Sequence, residues 1–308
     1  MFKVKFWGTR GSIATPGKKT ARYGGNTSCV ELRADGQIFI FDAGTGIREL
    51  GLRLIKEFSS KPLTLHLFVS HTHWDHIQGF PFFLPAYNKR NRIFVYGPAG
   101  RDKSLDEILR MQMDSDFFPV ELGDMKAKIS VKEIRDEFTI GDVTVQPFYL
   151  NHPAMTFAYR LTFGQQSIVY ATDNEPYQYS LHQHRDDSME KSDYPDYLDQ
   201  KFVEFLSEAD LMIGEAQYTL KEYETKRGWG HSPIESLVEF AWRANVKHLV
   251  LFHHDPLHDD KSVDKMVRHA HRLARIRGGN LKCGGAFEGM EIVVGKIRNK
   301  GKRKKSGR

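Results

Sequence analysis

Residues 71–76 read His-Thr-His-Trp-Asp-His, three imidazoles and a carboxylate within six positions, directly after the apolar run Leu67-Phe68-Val69. Burying such groups without partners is costly, and imidazole with carboxylate is a donor set suited to zinc or manganese. In extended backbone alternate side chains point the same way, so His71 and His73 can reach one ion. Asp75 and His76 follow where the chain turns toward a helix and can serve a second ion nearby. Other chemistries find little support. Gly44-Thr45-Gly46 and Gly284-Gly285 do not continue into a dinucleotide or phosphate-loop fingerprint. Cys29 has no basic neighbour in sequence, and Lys282 beside Cys283 is slight ground for an activated thiolate.

Alternating or continuous apolar runs predict the strands that must carry this motif, at 2–7, 28–33, 37–41, 63–70, 93–96, 143–150, 155–163, 167–171, 211–214, 248–252 and 290–294. Helical periodicity appears at 46–57, 104–113, 200–207, 233–244 and 262–277, with Ser232 expected as the N-cap and Pro233 as the first residue of the fourth helix. Strands interrupted by isolated helices predict sheets covered by helices in one domain over residues 1–295. Residues 174–201 are polar, aperiodic and rich in Tyr, Asp and His, and are expected to be an inserted loop acting as a lid or partner contact. Tyr177, Tyr179 and Tyr194 within it are candidates to stack on a base.

The 308 residues, 40% hydrophobic and 27% charged, are those of an ordinary globular protein, which excludes global disorder and collagen-like repeats. Two cysteines more than 250 residues apart exclude a disulfide framework and a CxxC zinc site, and favour a reducing compartment. No run approaches a membrane span and the start alternates like a strand, so the expectation is a cytoplasmic protein without a membrane partner. The net charge of +6 misleads. Residues 296–308 hold eight Lys and Arg and no acid, leaving 37 basic against 39 acidic residues in the body. Such a block predicts a disordered tail and does not imply a nucleic-acid substrate.

The HxHxDH pattern after a buried strand resembles the signature of the metallo-β-lactamase-fold hydrolases. Four further positions match that family in order and context: Asp42 in Phe41-Asp-Ala-Gly-Thr-Gly46, His152 in Leu150-Asn-His-Pro153, Asp173 in Val169-Tyr-Ala-Thr-Asp173, and His253 in Leu249-Val-Leu-Phe-His253. The resemblance implies a four-layer αββα sandwich and two divalent ions per chain, zinc or manganese. It places His71, His73 and His152 on one ion, Asp75, His76 and His253 on the other, and Asp173 between them. Asp42 would support the loop without binding metal. His254 could replace His253 by a one-residue shift, and Asp255, His258 and Asp259 crowd the same motif.

Within the superfamily the chain resembles the phosphodiesterase branch. Phe6-Trp-Gly-Thr-Arg-Gly-Ser12 and Tyr23-Gly-Gly-Asn-Thr-Ser28 are similar to its N-terminal motifs, and Trp229-Gly-His-Ser-Pro233 to its glycine-histidine-serine motif. The resemblance gives His231 the role of general acid and Glu215 that of the carboxylate keeping it cationic, alongside attack on phosphorus by metal-activated water. The related tRNA-processing endonucleases carry a long arm between the third-motif histidine and the bridging aspartate, whereas 21 residues separate His152 from Asp173 here. Two cysteines cannot supply the extra zinc site of the phosphonate-pathway enzymes. The expected function is therefore hydrolysis of 3′,5′-cyclic mononucleotides by a homodimer, with a tRNase Z-like endoribonuclease acting on RNA as the alternative. A lactonase-type hydrolase and a non-catalytic nucleic-acid-binding module are less favoured.

Overall fold

The computed structural model describes residues 1–59, 61–180 and 194–295. In chain order the elements are β1 (Phe2–Gly8), β2 (Cys29–Ala34), β3 (Gln37–Phe41), α1 (Ile47–Phe58), β4 (Thr64–Phe68), α2 (Trp74–Ile77), β5 (Arg92–Gly97), α3 (Leu105–Met111), β6 (Lys128–Glu133), β7 (Phe138–Ile140), β8 (Val143–Tyr149), β9 (Phe157–Phe163) and β10 (Gln166–Ala171). There follow α4 (Tyr177–Ser180), α5 (Tyr194–Leu206), β11 (Leu211–Glu215), α6 (Leu220–Tyr223), α7 (Ile234–Arg243), β12 (His248–Phe252), α8 (Asp260–Arg277), β13 (Lys282–Gly285) and β14 (Glu291–Val294).

Two seven-stranded sheets result, ordered β14-β1-β2-β3-β4-β5-β6 and β13-β12-β11-β10-β9-β8-β7. Strands such as Ile38–Phe41 and Leu65–Phe68 are buried on both faces, which their continuous apolar character requires of parallel strands between two layers. Between the sheets lies an aromatic core in which Phe41 stacks on Tyr170 and Phe68 on Tyr96, at centroid distances of 5.0 and 4.9 Å. The first sheet's outer face is covered by α1 and α3 and the second's by α5, α7 and α8, giving helix, sheet, sheet, helix. Helix α1 shows how: Ile47, Leu50, Gly51 and Leu54 form one buried stripe at helical spacing.

Three strands escape the sequence pattern. β6 and β7 are short, half-exposed edge strands, and β13 reads Lys-Cys-Gly-Gly, a turn-like composition. Two expectations need correction. Pro233, not Ser232, is the N-cap of α7, because the Ser232 hydroxyl donates to the Asn174 carbonyl oxygen instead, at 2.5 Å. The segment 174–201 is not aperiodic loop throughout: it contains α4 and more than half of α5, joined where the Asp199 carboxylate accepts from the amides of Tyr177 and Gln178. Tyr179 packs on Tyr223, with ring centroids 5.6 Å apart. Residues 181–193 and the basic tail at 296–308 lie outside the described residues. Among the described residues no helix is long and apolar enough to cross a membrane.

Candidate metal centre and active site

β3 and β4 are parallel, as are β10, β11 and β12, so their C-terminal ends share one edge of the sandwich. Ligands in open α/β sheets gather at such ends. Asp42 follows β3, the 71–76 loop follows β4, and His152 follows β8. Asp173 follows β10, Glu215 ends β11, and His253 follows β12. Ala171 pairs with Gly214 and Gly214 with Leu251, which sets Asp173, Glu215 and His253 nearly level. Asp42, Asp173 and His253 have φ of 60°, 58° and 55°. These left-handed residues turn the chain sharply at the strand end, and such uncommon backbone clusters at functional sites.

The donor atoms fall into two trios. His71, His73 and His152 form one, and Asp75, His76 and His253 the other, with the donor atoms in each lying within 4.8 Å of one another; Asp173 makes two further such groups, with His71 and His76 and with His231 and His253. Asp173 spans them, its Oδ1 3.9 Å from His71 Nε2 and its Oδ2 3.3 Å from His76 Nε2 and 3.5 Å from His253 Nε2. The second trio is buried, whereas His73 is exposed and His152 partly so.

His76 and His152 are aimed from behind. His76 Nδ1 lies 2.8 Å from Asp42 Oδ2, which turns Nε2 to the centre. Asp42 also accepts from the Ser70 amide and hydroxyl and from the Tyr170 hydroxyl, at 2.7, 2.9 and 2.7 Å. His152 Nδ1 stands 3.0 Å from the Gly230 carbonyl oxygen, and the Ser12 amide donates to Asp75 Oδ2 at 2.7 Å. Behind the strand ends, the amide of His254 donates to Thr9 and that of Gly11 to His254. The buried Arg10 guanidinium donates to the carbonyls of Gly24, Asp255 and His258, bracing the 253–259 loop against the N-terminal segment.

Electrostatics follow from this crowding. Burial alone would discharge His76, but Asp75, Asp173 and Asp42 outweigh it and hold its pKa well above the usual value. Asp75, despite burial, is held well below the carboxylate range by His76 and His253. Burial lowers His71, His73 and His152, favouring the neutral imidazoles that bind metal. His71 Nε2 is buried with no hydrogen-bond partner among the described residues, as is fitting for an atom reserved for a cation. Neutral His71, His73 and His152 beside ionised Asp75 and Asp173, with three carboxylates gathered on His76 whose charge a metal ion could take up, fit two divalent ions.

His231 stacks on His253 at 5.4 Å, and its Nδ1 lies 3.6 Å from Asp173 and 4.0 Å from Glu215. Glu215 thus faces His231 at ion-pair range, beyond hydrogen-bond distance. Glu215 instead accepts from the amides of Ser232, Gln217 and Asn174, at 2.5, 3.1 and 3.3 Å, and burial pushes its pKa well up. Burial also pulls His231 down to about 3, against the opposing pull of Asp173. His254 faces away from the centre, with Nε2 2.9 Å from the Ala286 carbonyl oxygen and its ring edge-on to Tyr23.

A family model described as Beta-lactamase superfamily domain matches residues 38–254. The chain belongs to this superfamily. A ribonuclease Z of Picrophilus torridus is 24% identical over 289 residues, spanning 84% of this chain and 87% of its own. Among solved structures, the metallo-beta-lactamase fold protein YhfI from Bacillus subtilis has a TM-score of 0.63 at 18% identity, covering 95% of this chain and 100% of its own. The short form of human tRNase Z gives 0.60 at 19%, covering 96% and 100%. The two packed sheets are thus the metallo-β-lactamase sandwich.

Sequence reasoning overlooked Glu175 in this superfamily member. Its carboxylate accepts from the amides of Gly228 and Gly230, at 2.8 and 3.0 Å, and from the Tyr223 hydroxyl, clamping the loop that presents His231. The one available sign was its place two residues after Asp173.

Proposed function

We propose that the chain is a metal-dependent phosphodiesterase acting on RNA. The observation that carries the reading is the pair of donor trios with Asp173 between them, and His231 beside Asp173 with its ring next to both His152 and His253. Proteins similar to it bear the names ribonuclease Z and tRNase Z, which moves the reading from cyclic mononucleotides to RNA.

Two divalent cations held by His71, His73, His152 and Asp75, His76, His253, with Asp173 between, would supply Lewis acidity to water and to the phosphate oxygens. The chain's own residues do the rest. Asp42, through His76, and the Ser12 amide, through Asp75, fix donor orientation before substrate arrives. His231 turns Nδ1 inward toward Asp173, so Nε2 is the nitrogen left to donate a proton to the departing oxygen. Phosphate charge beside the ring favours the protonated form that burial alone resists. Glu215 and Glu175 keep the 228–232 loop in place through its amides.

Hydrolysis of 3′,5′-cyclic nucleotides stands as the second reading on one observation: β9 and β10 form a hairpin closed by Gly164 and Gln165, so no long arm leaves the chain between His152 and Asp173. The test is turnover by zinc- or manganese-loaded protein of a tRNA precursor with a 3′ trailer, against a panel of cyclic mono- and dinucleotides. Cleavage of the trailer is expected. Turnover of cyclic nucleotides with intact RNA would replace the first reading by the second, and hydrolysis of neither, nor of bis(p-nitrophenyl) phosphate, would overturn both.

A further inference from the structure

Two cavities meet at Thr72. One, of about 470 Å³, lies over the donor trios and is bordered by Asp173, His231 and Trp74. The other, of about 420 Å³, starts at His152 and runs outward between the 98–103 loop and the end of β8, lined by Arg101, Lys103, Tyr149 and Met155. Each alone falls within the range of small-ligand sites, roughly 300–1,000 Å³. A cyclic mononucleotide with its phosphate at the trios needs only the first. The second has no role in the chemistry assigned above, yet is lined by His152 and shares Thr72 with the first.

Its lining suits a nucleotide. Arg101 and Lys103 are exposed cations, and Asp102 is the only carboxylate among its lining residues. Tyr149 is 48% exposed while its ring packs on Phe157, with centroids 4.6 Å apart, so the ring is held in place with much of its surface in water. On the other side, Trp74 is 81% exposed, between His73 and Asp75. Its ring borders the cavity over the donor trios, where a base could lie against it. Aromatic rings interleaved with cations along a groove are what single-stranded nucleic acid uses, bases stacking while phosphates pair with Lys and Arg.

We propose that the two cavities form one cleft for a linear single-stranded oligonucleotide. Arg101 and Lys103 hold the phosphate next to the scissile one, Tyr149 with Met155 receives the base on that side, and Trp74 receives the base on the other. The proposal deepens the phosphodiesterase reading and rests on it for the position of the scissile phosphate. It predicts that a linear substrate with a second phosphate is preferred to a cyclic mononucleotide even without any tRNA architecture.

The experiment uses the metal-loaded full chain, a single-stranded RNA hexanucleotide, a 3′,5′-cyclic mononucleotide and bis(p-nitrophenyl) phosphate, which has no second phosphate. Arg101→Ala/Lys103→Ala should raise KM for the hexanucleotide at least tenfold more than KM for bis(p-nitrophenyl) phosphate. It should also flatten the salt dependence of hexanucleotide binding by roughly one to one and a half units of log–log slope, the share of two phosphate contacts on a single strand. Trp74→Ala and Tyr149→Ala should each weaken hexanucleotide binding, read by fluorescence anisotropy, about 5- to 150-fold, and Tyr149→Phe should restore it. Equal KM ratios and an unchanged salt slope in the double variant would overturn the proposal, as would a cyclic mononucleotide turned over more efficiently than the hexanucleotide. Failure of the wild type to hydrolyse bis(p-nitrophenyl) phosphate would sink the phosphodiesterase reading instead, and the anisotropy measurements would still decide whether the cleft binds RNA.

Discussion

His73 and His152 stand at the solvent side of the centre with His71 buried behind them, whereas Asp75, His76 and His253 are all closed in. The buried trio is backed by the inter-sheet core through Asp42 and Tyr170. The open trio is backed partly by a loop, through the Gly230 carbonyl behind His152. Donors that lose water entirely need fixed charges behind them, while donors at the rim can be held by backbone that also has to admit substrate. The difference suggests which half of the centre is rigid and which adjusts.

Asp173 is where the two halves can be broken together. Asp173→Ala should abolish turnover and lower bound metal from near two equivalents per chain in both halves, as read by elemental analysis. Retention of one full equivalent would show that the trios are independent. Next in size is His231, which is buried and stacks on His253 of the closed-in trio. His231→Ala should reduce cleavage of an RNA or ribose diester by about 10²–10⁴ while sparing most activity on bis(p-nitrophenyl) phosphate, whose leaving group needs no proton. Equal loss on both substrates at full metal content would assign the ring to structure or binding.

Two substitutions sharpen the contrast. A Cβ at Gly230, whose φ is +84°, would come 2.1 Å from His152 Nδ1, so Gly230→Ala should displace His152 and bring metal content from two equivalents toward one. Asp42→Asn should act on the buried half, weakening metal affinity roughly 10- to 100-fold, the usual scale for a partner behind a ligand; competition with a chromogenic chelator would measure both.

The smallest effect concerns stability away from the centre. His66, on β4, is stacked between Phe39 and Phe94, and burial pulls its pKa from 6.5 to about 4. The unfolded chain then binds the extra proton between these values, so the contribution is full above pH 6.5 and is lost as pH falls toward 4. Unfolding free energies from urea titrations at pH 7 and 5 should differ by on the order of 2 kcal/mol more in the wild type than in His66→Leu. No difference between the two slopes would remove His66 as the cause.

The contiguous half of the centre was legible because its four groups lie within six residues after an apolar strand. The other half was not legible from spacing: His152, Asp173 and His253 come from three separate strands, and only the resemblance pointed to them. Parallel register is what makes them neighbours, and no local pattern encodes it. The His231–Glu215 contact, at 4.0 Å, is looser than a hydrogen bond for a related reason. A buried carboxylate takes whichever donors surround it, and here three backbone amides, invisible as residue types, lie nearer than the ring. The capping error at Ser232 has the same origin, since the hydroxyl found the Asn174 carbonyl from across the fold.

The brace formed by Arg10 with the carbonyls of Asp255 and His258 has a consequence in time. A chain leaving the ribosome at about 5–20 residues per second exposes the 71–76 motif roughly 10–40 s before residue 258 emerges. The strand that completes the first sheet, β14, pairs with β1 through Phe2 and Val294, and comes later still. Asp173 emerges only about halfway through that interval, and the three imidazoles lack His253 until nearly its end. The structure therefore implies that maturation ends with a single late closure, in which the final quarter of the chain fastens to its first dozen residues and encloses the donors in the same movement.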